Sequence, residues 1–230
     1  MLKILCHKWT VISRARRIKK LKKKIPPYLL KDFEVELNYK LWSTKGIRFA
    51  ASHRNQTLNG LSSKSIGFLS AYLIIVNIVN IYGLSFWKIT LTDSAVGFIS
   101  TAISVLILLF SQLESSENFI IKSERFHNCS LDISELYNKL RFMKTYETDP
   151  DKKKSTLENI SRDYDIILKK YENHLPIDYS KFQLTKPDYF DLNLFDRLSI
   201  SLLYYFTVKL KYHVLIYGPI LLFIVMNLIK

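Results

Sequence analysis

Two long runs without a charged residue lie in the middle of the sequence. The first, Ile66 to Trp87, has 22 residues, and the second, Ser94 to Leu113, has 20. As a helix the first run would reach about 33 Å, enough to cross a hydrocarbon core of about 30 Å. Tyr82 and Trp87 suit the aromatic belt found at membrane interfaces. Because core helices of soluble proteins keep some polar positions, the pattern predicts two transmembrane helices.

Only a short connection, KITLT followed by Asp93, separates the two runs. With so little chain between them the helices must run antiparallel, as a hairpin over residues 66–113. The segments before and after the hairpin then lie on the same side of the membrane.

A third apolar run, His213 to Ile229, lies between two lysines and contains Gly218 and Pro219. Its 17 residues are at the short end for a membrane span. The preceding stretch, residues 198–210, is also apolar and could lie along the membrane surface. The pattern therefore predicts either a third span or an interfacial anchor, and length alone does not choose between them.

After the second run, apolar residues recur every seven positions, with further apolar residues at the alternate positions of a heptad seam. They are Phe119, Phe126, Ile133 and Leu140, with Cys129, Leu136 and Met143. Apart from Gly97, nothing between Ser94 and Tyr146 is expected to break a helix. The pattern therefore predicts one continuous helical rod of about 80 Å.

Two more helices are predicted around this rod. Ser155 and Glu158 have the spacing of a capping box at a helix start, and the helix they begin should pack against the rod. Upstream, Pro26-Pro27 ends the basic N-terminal stretch, and an apolar stripe leads toward the first span. The seam of the first helix is Leu157, Ile160, Tyr164, Ile167 and Tyr171, and the upstream stripe is Leu30, Phe33, Leu37 and Leu41.

No segment shows a convincing strand period. The predicted fold is an all-α membrane protein, in which an antiparallel two-helix transmembrane hairpin extends into a cytosolic helical bundle, with a C-terminal hydrophobic segment. The expected segments are a basic amphipathic arm (1–27), a helix leading to the membrane (28–65), the hairpin (66–113), a cytosolic helical region (114–197) and a C-terminal anchor or third span (198–230).

Charge is distributed very unevenly along the chain. Residues 1–65 hold 16 Lys and Arg against 3 Asp and Glu, whereas residues 114–211 hold 16 of each sign. By the positive-inside rule the N-terminus is expected in the cytosol. The two cysteines, Cys6 and Cys129, support neither a disulfide framework nor a thiolate zinc site, which fits a reducing setting. No cleavable signal peptide is expected, because the N-terminal charges are not followed by an apolar segment ending in small residues.

The first span contains two asparagines, Asn77 and Asn80, which share a helix face with Ser70. An amide in hydrocarbon is costly unless it finds a partner, so these side chains should face another helix or a wet lumen. Interhelical bonding, within the hairpin or between copies, and pore lining both remain open. The second span carries small residues suited to close packing, and Ser104 is also a candidate pore-lining residue. They are Gly97, Ser100, Thr101, Ser104 and Ser111.

Glu114 and Glu117 follow the second span. If several copies surround an axis, they could form an acidic ring that favours cations. The alternative is a solvated stretch of helix.

The N-terminal arm contains a dense basic patch, RARRIKKLKKK, preceded by apolar residues at helical spacing. Anionic lipid headgroups attract such a patch by about 1 kcal/mol per basic residue, and nucleic acid could bind it without sequence preference. The lipid bilayer and nucleic acid are thus both possible partners. The patch consists of Arg14, Arg16, Arg17, Lys19, Lys20, Lys22, Lys23 and Lys24.

Catalytic motifs are scarce in this sequence. Glu124 and His127 form one Glu-x-x-His, but a helical di-iron site needs two such pairs and two more glutamates, and Glu172-Asn173-His174 has the wrong spacing. His127 and His174 are instead expected to form hydrogen bonds where the rod meets the helix that begins near Ser155 and packs back against it. Without a Walker loop, Gly-x-Ser-x-Gly or His-Glu-x-x-His, the sequence predicts no enzyme, metal or cofactor.

Three segments resemble the SLATT family of two-transmembrane proteins. They are LWSTKGIRFAASHR (41–54), ERFHNC with ELYNKL (124–129 and 135–140), and YENHLPIDYSKF (171–182). The residues that carry the resemblance are Trp42, Arg48, Arg54, Glu124, His127, Cys129, Tyr171, Glu172, His174, Asp178 and Tyr179.

The resemblance implies an effector of a prokaryotic anti-phage system in the bacterial cytoplasmic membrane. Family members are found beside nucleotide second-messenger synthases, SLOG sensors or reverse transcriptases, and the C-terminal extension is most similar to the subgroup that accompanies reverse transcriptases. The implied activity is membrane disruption or pore formation that kills or arrests the infected cell, here with hairpins that assemble into a homo-oligomer. A rival hypothesis is a membrane tether that recruits a nucleic-acid enzyme.

Overall fold

The structure, a computed structural model, describes residues 32–82 and 92–228. The basic arm, Leu30 and Trp87, named above as predicted features, lie outside the described residues. The chain divides into two compact units. Unit 1 contains residues 32–46 and Cys129–Tyr171, and unit 2 contains Ile47–Asn128 and residues 172–228, apart from the gap.

Seven α-helices and one π-helical turn make up the described part of the chain, without a strand. They are α1 (Phe33–Ile81), α2 (Asp93–Ser116), α3 (Phe119–Tyr146), α4 (Pro150–Lys170), α5 (Pro176–Leu184), α6 (Leu194–Tyr204), the π-helical turn Tyr205–Lys209, and α7 (Leu210–Leu228).

Three helical stretches are long and apolar enough to cross a membrane, by length and composition: Phe33–Ile81, Asp93–Tyr146 and Leu194–Val225. Only 6% of the apolar window in each of the first two, and 17% in the third, is buried inside the protein. Apolar side chains that face outward along a whole span are stable in lipid rather than in water. The all-α membrane fold predicted from the sequence is therefore confirmed.

The expectation of a continuous rod from Ser94 to Tyr146 was wrong, because the helix is interrupted at Asn118. α2 ends at Ser116, and Asn118 adopts a positive φ of 50° before α3 begins. Asparagine tolerates this left-handed conformation better than most residues. The side-chain amide of Asn118 also donates to the carbonyl of Ser116, 3.1 Å away.

The start of α4 also differs from the prediction. The helix begins at Pro150, five residues before the proposed capping box, and Asp149 is its N-cap. The carboxylate of Asp149 accepts the backbone N–H of Asp151 at 3.0 Å, and proline at the first helical position has no N–H to satisfy. The segment DKKK that follows Pro150 is therefore helical.

Unit 1 is built on the predicted seams of α1, α3 and α4. The buried residues of its core are Leu37, Leu41, Cys129, Ile133, Leu136, Leu140, Met143, Ile160 and Tyr164. Leu157, Ile167 and Tyr171 pack against this core, as predicted, whereas Phe33 is exposed. Glu34 adds ion pairs to Lys144 and Lys153, at 3.0 and 2.9 Å.

Unit 2 contains the hairpin, the start of α3 and the C-terminal helices. Its apolar core joins Leu58 on α1 and Phe119 on α3 to Tyr204, Val208 and Tyr212. The last three residues, followed by Ile216, are buried at a spacing of four residues. In an α-helix of 3.6 residues per turn, side chains spaced four apart move gradually around the helix axis. The π-helical turn Tyr205–Lys209 has more residues per turn, and its position within this stripe helps to keep the four side chains on one face.

Candidate functional site

The two hairpin helices are joined by a hydrogen bond between polar side chains within the apolar run. Ser100 Oγ on α2 donates to Asn77 Oδ1 on α1 at 3.2 Å, and Asn77 Nδ2 donates to the carbonyl of Leu73 at 2.8 Å. Both ends of the Asn77 amide are thus satisfied inside one copy of the protein. Asn77 has an interhelical role within the hairpin, one of the two roles left open by the sequence.

Other polar and small residues of the hairpin face outward. Asn80 is exposed, and so are Gly97, Thr101 and Ser104. The hydroxyls of Thr101 and Ser104 donate to the carbonyls four residues earlier on their own helix, at 2.9 and 2.8 Å. Ser70 and Ser111 are partly buried.

Gly97 makes no close helix contact within this copy of the hairpin, so its predicted role in close packing stays a prediction for contacts between copies. A Cβ added there would meet no other atom within 4 Å. Of the five small residues predicted to pack, only Ser100 makes a side-chain bond to the other hairpin helix among the contacts described. The exposed face remains available for contacts outside this copy of the chain.

Glu114 ends the apolar run of α2 and is buried, so it does not lie on a solvated stretch of helix. Its Oε1 pairs with Lys211 Nζ at 2.9 Å, and its Oε2 accepts the hydroxyl of Tyr212 at 2.7 Å. Glu117 is exposed and pairs with Lys122, also at 2.9 Å. In this arrangement the Glu114 carboxylate is occupied by partners within its own chain, and an acidic ring between several copies stays a prediction.

The third apolar helix packs along the hairpin. Ser65 Oγ lies 3.5 Å from the carbonyl of Tyr212, and Tyr72 Oη donates to the carbonyl of Ile216 at 2.5 Å. The Tyr212 ring also meets Phe110 of α2 edge-on, with ring centroids 6.3 Å apart. Because the α1 positions and the α7 positions increase in the same order, α1 and α7 run parallel.

The limits of the three apolar runs coincide in space. The first run starts at Ile66, one residue after Ser65, and the second stops just before Glu114. Both Ser65 and Glu114 contact Tyr212, which directly precedes the third run. We call the end of the hairpin that carries these contacts the hairpin base.

Sequence reasoning missed the residues that hold α7 to the hairpin, namely Ser65, Tyr72, Lys211 and Tyr212. A signal was present, because Lys211-Tyr212 marks the limit of the third apolar run and Tyr72 is a hydroxyl inside the first. Neither signal identifies its partner, since the contacts join residues far apart in the chain.

A second polar cluster lies in unit 2, outside the apolar runs. Arg54 on α1 is buried and donates twice to Asp178 of α5, through Nε to Oδ1 at 2.7 Å and through a terminal nitrogen to Oδ2 at 3.1 Å. Asp178 is fully buried, and its Oδ2 also accepts the backbone N–H of Leu175 at 2.9 Å. The carboxylate therefore joins two helices and caps the start of α5.

Arg48, which precedes Arg54 on α1, is also buried. It donates to the carbonyl of Glu172 and to Asn173 Oδ1, and its guanidinium lies 5.5 Å from the ring centroid of Phe126. Its Nε has no hydrogen-bond partner in the part of the chain that the structure describes.

The two histidines do not behave as predicted from the sequence. His174 Nδ1 is buried and finds no hydrogen-bond partner among the described residues. Burial, together with the positive charge of Arg48, lowers the pKa of His174, and Asp178 opposes this shift. His127 is exposed and meets the Phe49 ring edge-on at 5.6 Å.

The remaining residues of the resemblance are distributed between the two units. In unit 1, Cys129 is a buried free thiol of the core, Trp42 contacts the Tyr39 ring, and Tyr171 Oη donates to Asp132 at 2.9 Å. In unit 2, the Glu172 side chain lies 3.5 Å from Arg125, and the Tyr179 ring contacts that of Phe190. Glu124 is exposed.

No group of three or more metal-ligating side chains occurs within residues 32–82 and 92–228. Polar groups of unit 2 tie helices together at several places, among them the bond between Ser100 and Asn77, the contacts at the hairpin base and the pair of Arg54 and Asp178.

Comparison with protein families gives a match over residues 30–225, which covers both units and all three apolar helices. The matching family is described as SMODS and SLOG-associating 2TM effector domain family 5. Neither the curated proteins nor the solved structures contain a match. Because the family match covers most of the chain, the chain belongs to SLATT family 5, whose domain is a two-transmembrane effector domain of conflict systems.

Proposed function

We propose that this membrane effector assembles into a homo-oligomer that permeabilises the bacterial cytoplasmic membrane. The observation that carries the proposal is the exposed amide of Asn80 within the apolar stretch of α1. An amide that faces hydrocarbon is costly, and contact with a second copy or with a wet lumen removes that cost. One copy of the hairpin satisfies Asn77 but leaves Asn80 facing outward.

The register of the hairpin places a suitable surface beside Asn80. Asn77 is bonded to Ser100, so in an antiparallel pair Asn80 lies level with Gly97. Gly97, Thr101 and Ser104 are exposed, and small residues allow the backbone of another helix to approach closely. This face fits contact between hairpins, with the Asn80 amide at the contact or in the lumen.

The proposed orientation has the N-terminal arm in the cytosol. Its excess of lysine and arginine supports this orientation, and the same arm can bind anionic lipid or nucleic acid. The proposed trigger is an operon partner, such as a reverse transcriptase or a nucleotide second-messenger synthase. Activation would lead to abortive infection, in which the leak arrests or kills the infected cell.

We also propose that α7 is a third span rather than an interfacial anchor. It starts at the hairpin base and runs parallel to α1, with bonds to that helix at Tyr212 and Ile216. A helix lying on the membrane surface would cross the hairpin instead of following it. From Tyr212 to Leu228 the helix reaches about 25 Å, so modest thinning of the bilayer would let it span.

The proposed function is tested by expression of the chain without its partner in bacteria loaded with a potential-sensitive dye. We expect depolarisation with the natural sequence and a smaller response with Asn80→Leu at equal abundance in the membrane. The matched control is Ile81→Leu, which keeps the side chain apolar at the next position. Unchanged potential with abundant membrane-inserted protein would contradict a permeabilising function and favour the tether.

A further inference from the structure

We infer that the C-terminal helix is an autoinhibitory strap, held at the hairpin base by a clasp of Glu114, Lys211 and Tyr212. The inference rests on the proposed permeabilising function and names how that function is restrained. In the clasped state the strap covers Glu114, which is the only buried acidic residue that belongs to the three apolar stretches within the described residues.

The clasp neutralises a carboxylate at the limit of the apolar runs. The Glu114 side chain is 7% exposed and receives an ion pair from Lys211 and a hydrogen bond from Tyr212, at 2.9 and 2.7 Å. A buried carboxylate that loses its partner carries the full cost of its own desolvation. Loss of α7 from this position would therefore drive Glu114 toward water or toward positive charge.

The two sides of the ion pair differ in their access to solvent. The Lys211 side chain is 56% exposed, and its ammonium also lies 4.6 Å from the centroid of the Tyr212 ring. An incoming anionic group can thus reach Lys211 while Glu114 is still covered.

Two features next to the clasp let the strap change its path. The π-helical turn Tyr205–Lys209 directly precedes it, and Pro219 interrupts the hydrogen bonds of α7 beyond it. π-helical turns and prolines are common positions of helix bending. The clasp is therefore bracketed by two points at which α7 can bend, while the hairpin helices α1 and α2 contain no proline.

Release of the strap changes the charge at the hairpin base. With Lys211 and Tyr212 withdrawn, Glu114 becomes an unpaired carboxylate on the same side of every hairpin in an assembly. Several such carboxylates around an axis attract cations and need water. The acidic mouth that Glu114 cannot form in the clasped state becomes possible after release.

The first test breaks the clasp in purified protein reconstituted in vesicles of phosphatidylethanolamine and phosphatidylglycerol loaded with a fluorescent dye. Lys211→Ala with Tyr212→Phe removes both bonds to Glu114 and keeps the ring of Tyr212 that fills the core. We expect dye release about tenfold faster than for the natural sequence, as for about 1.4 kcal/mol removed from the closed state. The matched control, Lys209→Ala, loses the same charge two residues earlier and should behave as the natural sequence.

The second test locks the strap to the hairpin with a disulfide instead of only breaking the clasp. In a chain with Cys6→Ser and Cys129→Ala, Ser65→Cys and Tyr212→Cys introduce thiols at two positions where the Ser65 hydroxyl lies 3.5 Å from the backbone carbonyl of Tyr212. Tyr212→Cys also removes the bond to Glu114, so the reduced protein is a clasp-weakened chain. Oxidation to the disulfide should suppress dye release, and a reductant should restore it above the level of the cysteine-free chain. The measurement compares one preparation with itself, so incorrect folding cannot produce the expected result.

The outcomes separate the strap from the proposed function. If the natural sequence releases dye and neither clasp breakage nor the disulfide changes the rate, the strap is overturned and permeabilisation stands. If no variant releases dye at any ratio of protein to lipid, the permeabilising function fails, and the strap fails with it. Faster release by Lys209→Ala as well would assign the effect to lost charge and also overturn the clasp.

Discussion

Ser100 Oγ on the second hairpin helix donates a hydrogen bond to Asn77 Oδ1 on the first, across 3.2 Å. This bond favours one register of the hairpin, because a slip of one helix along the other would leave the side-chain oxygen of Asn77 in hydrocarbon without its donor. It also separates the roles of two asparagines that look equivalent in the sequence. Asn77 ties the hairpin together, and Asn80 faces outward.

The first prediction concerns the stability of the hairpin. Asn77→Leu should lower the free energy of unfolding in detergent by about 0.6–1.7 kcal/mol, the range measured for hydrogen bonds between membrane helices. Asn80→Leu should leave that free energy unchanged, because Asn80 makes no described contact with α2. Steric trapping or titration with a denaturing detergent measures both variants, and equal losses would contradict the separate roles.

The second prediction concerns the buried pair of Arg54 and Asp178. Arg54→Ala leaves Asp178 buried without its cation, and removal of one partner from such a pair costs about 3–5 kcal/mol. The matched control is Arg125→Ala, whose partner Glu172 lies 3.5 Å away with both side chains more than half exposed. An exposed pair contributes about 0–1 kcal/mol, so only the first variant should unfold at lower temperature.

Thermal unfolding of the two arginine variants in the same detergent distinguishes them. A similar small loss for both would show that Asp178 finds water or another donor once Arg54 is absent, and would contradict a structural role for the pair.

Features that depend on local periodicity were predictable from the sequence. The seam residues Ile133, Leu140 and Ile160 were expected inside and are buried, because apolar side chains three, four and seven apart share one helix face. The two apolar helices of the hairpin were equally predictable, since an uncharged run of 20 residues has few alternatives to a membrane span.

Two local signals favour the observed structure over the predicted one. Asp149-Pro150 combines an N-cap residue with proline at the first helical position, a stronger start signal than the Ser155 and Glu158 spacing. Asn118 is one of the few residues that accept a left-handed conformation, and it interrupts the predicted rod.

Contacts between distant residues were beyond sequence reasoning. From the sequence, Glu114 was expected to be a solvated or pore-mouth acid. Its partner Lys211 lies 97 positions later, and nothing local in the sequence identifies it. Periodicity identifies the face that a residue occupies but not the helix that covers it, so the clasp and the bond between Tyr72 and Ile216 emerge only from the packing.

The third prediction is a pH dependence of stability that comes from His174. Burial and Arg48 lower the pKa of His174 in the folded protein, whereas the unfolded chain keeps the ordinary value of about 6.5. As the pH falls through that value, the unfolded chain binds a proton that the folded protein does not yet accept, so the free energy of unfolding decreases.

Replacement of His174 by Gln should remove this loss. Thermal unfolding at pH 7.5 and pH 5.5 checks the difference between the two proteins, with His53→Gln at an exposed position as the control. The same decrease on acidification in His174→Gln and in the natural sequence would assign the effect to other groups.

The fourth prediction concerns the side of the membrane on which the chain ends. If α7 is a third span parallel to α1, alkaline phosphatase fused after Lys230 should be active in the periplasm, and a fluorescent protein fused there should be dark. The same reporters fused to the N-terminus should give the reverse pattern. A C-terminal fusion that behaves like the N-terminal one would contradict the third span and show that α7 lies at the membrane surface.

The most direct measurement of the account is the electrical current across a planar bilayer containing purified protein. The natural sequence and the clasp-broken variant, Lys211→Ala with Tyr212→Phe, are recorded at rising protein density. Discrete conductance steps should appear more often in the variant, and their frequency should increase faster than linearly with density, as an assembly of copies requires. A silent bilayer for both proteins, with their insertion verified by protease protection, would contradict the claim that this hairpin permeabilises membranes.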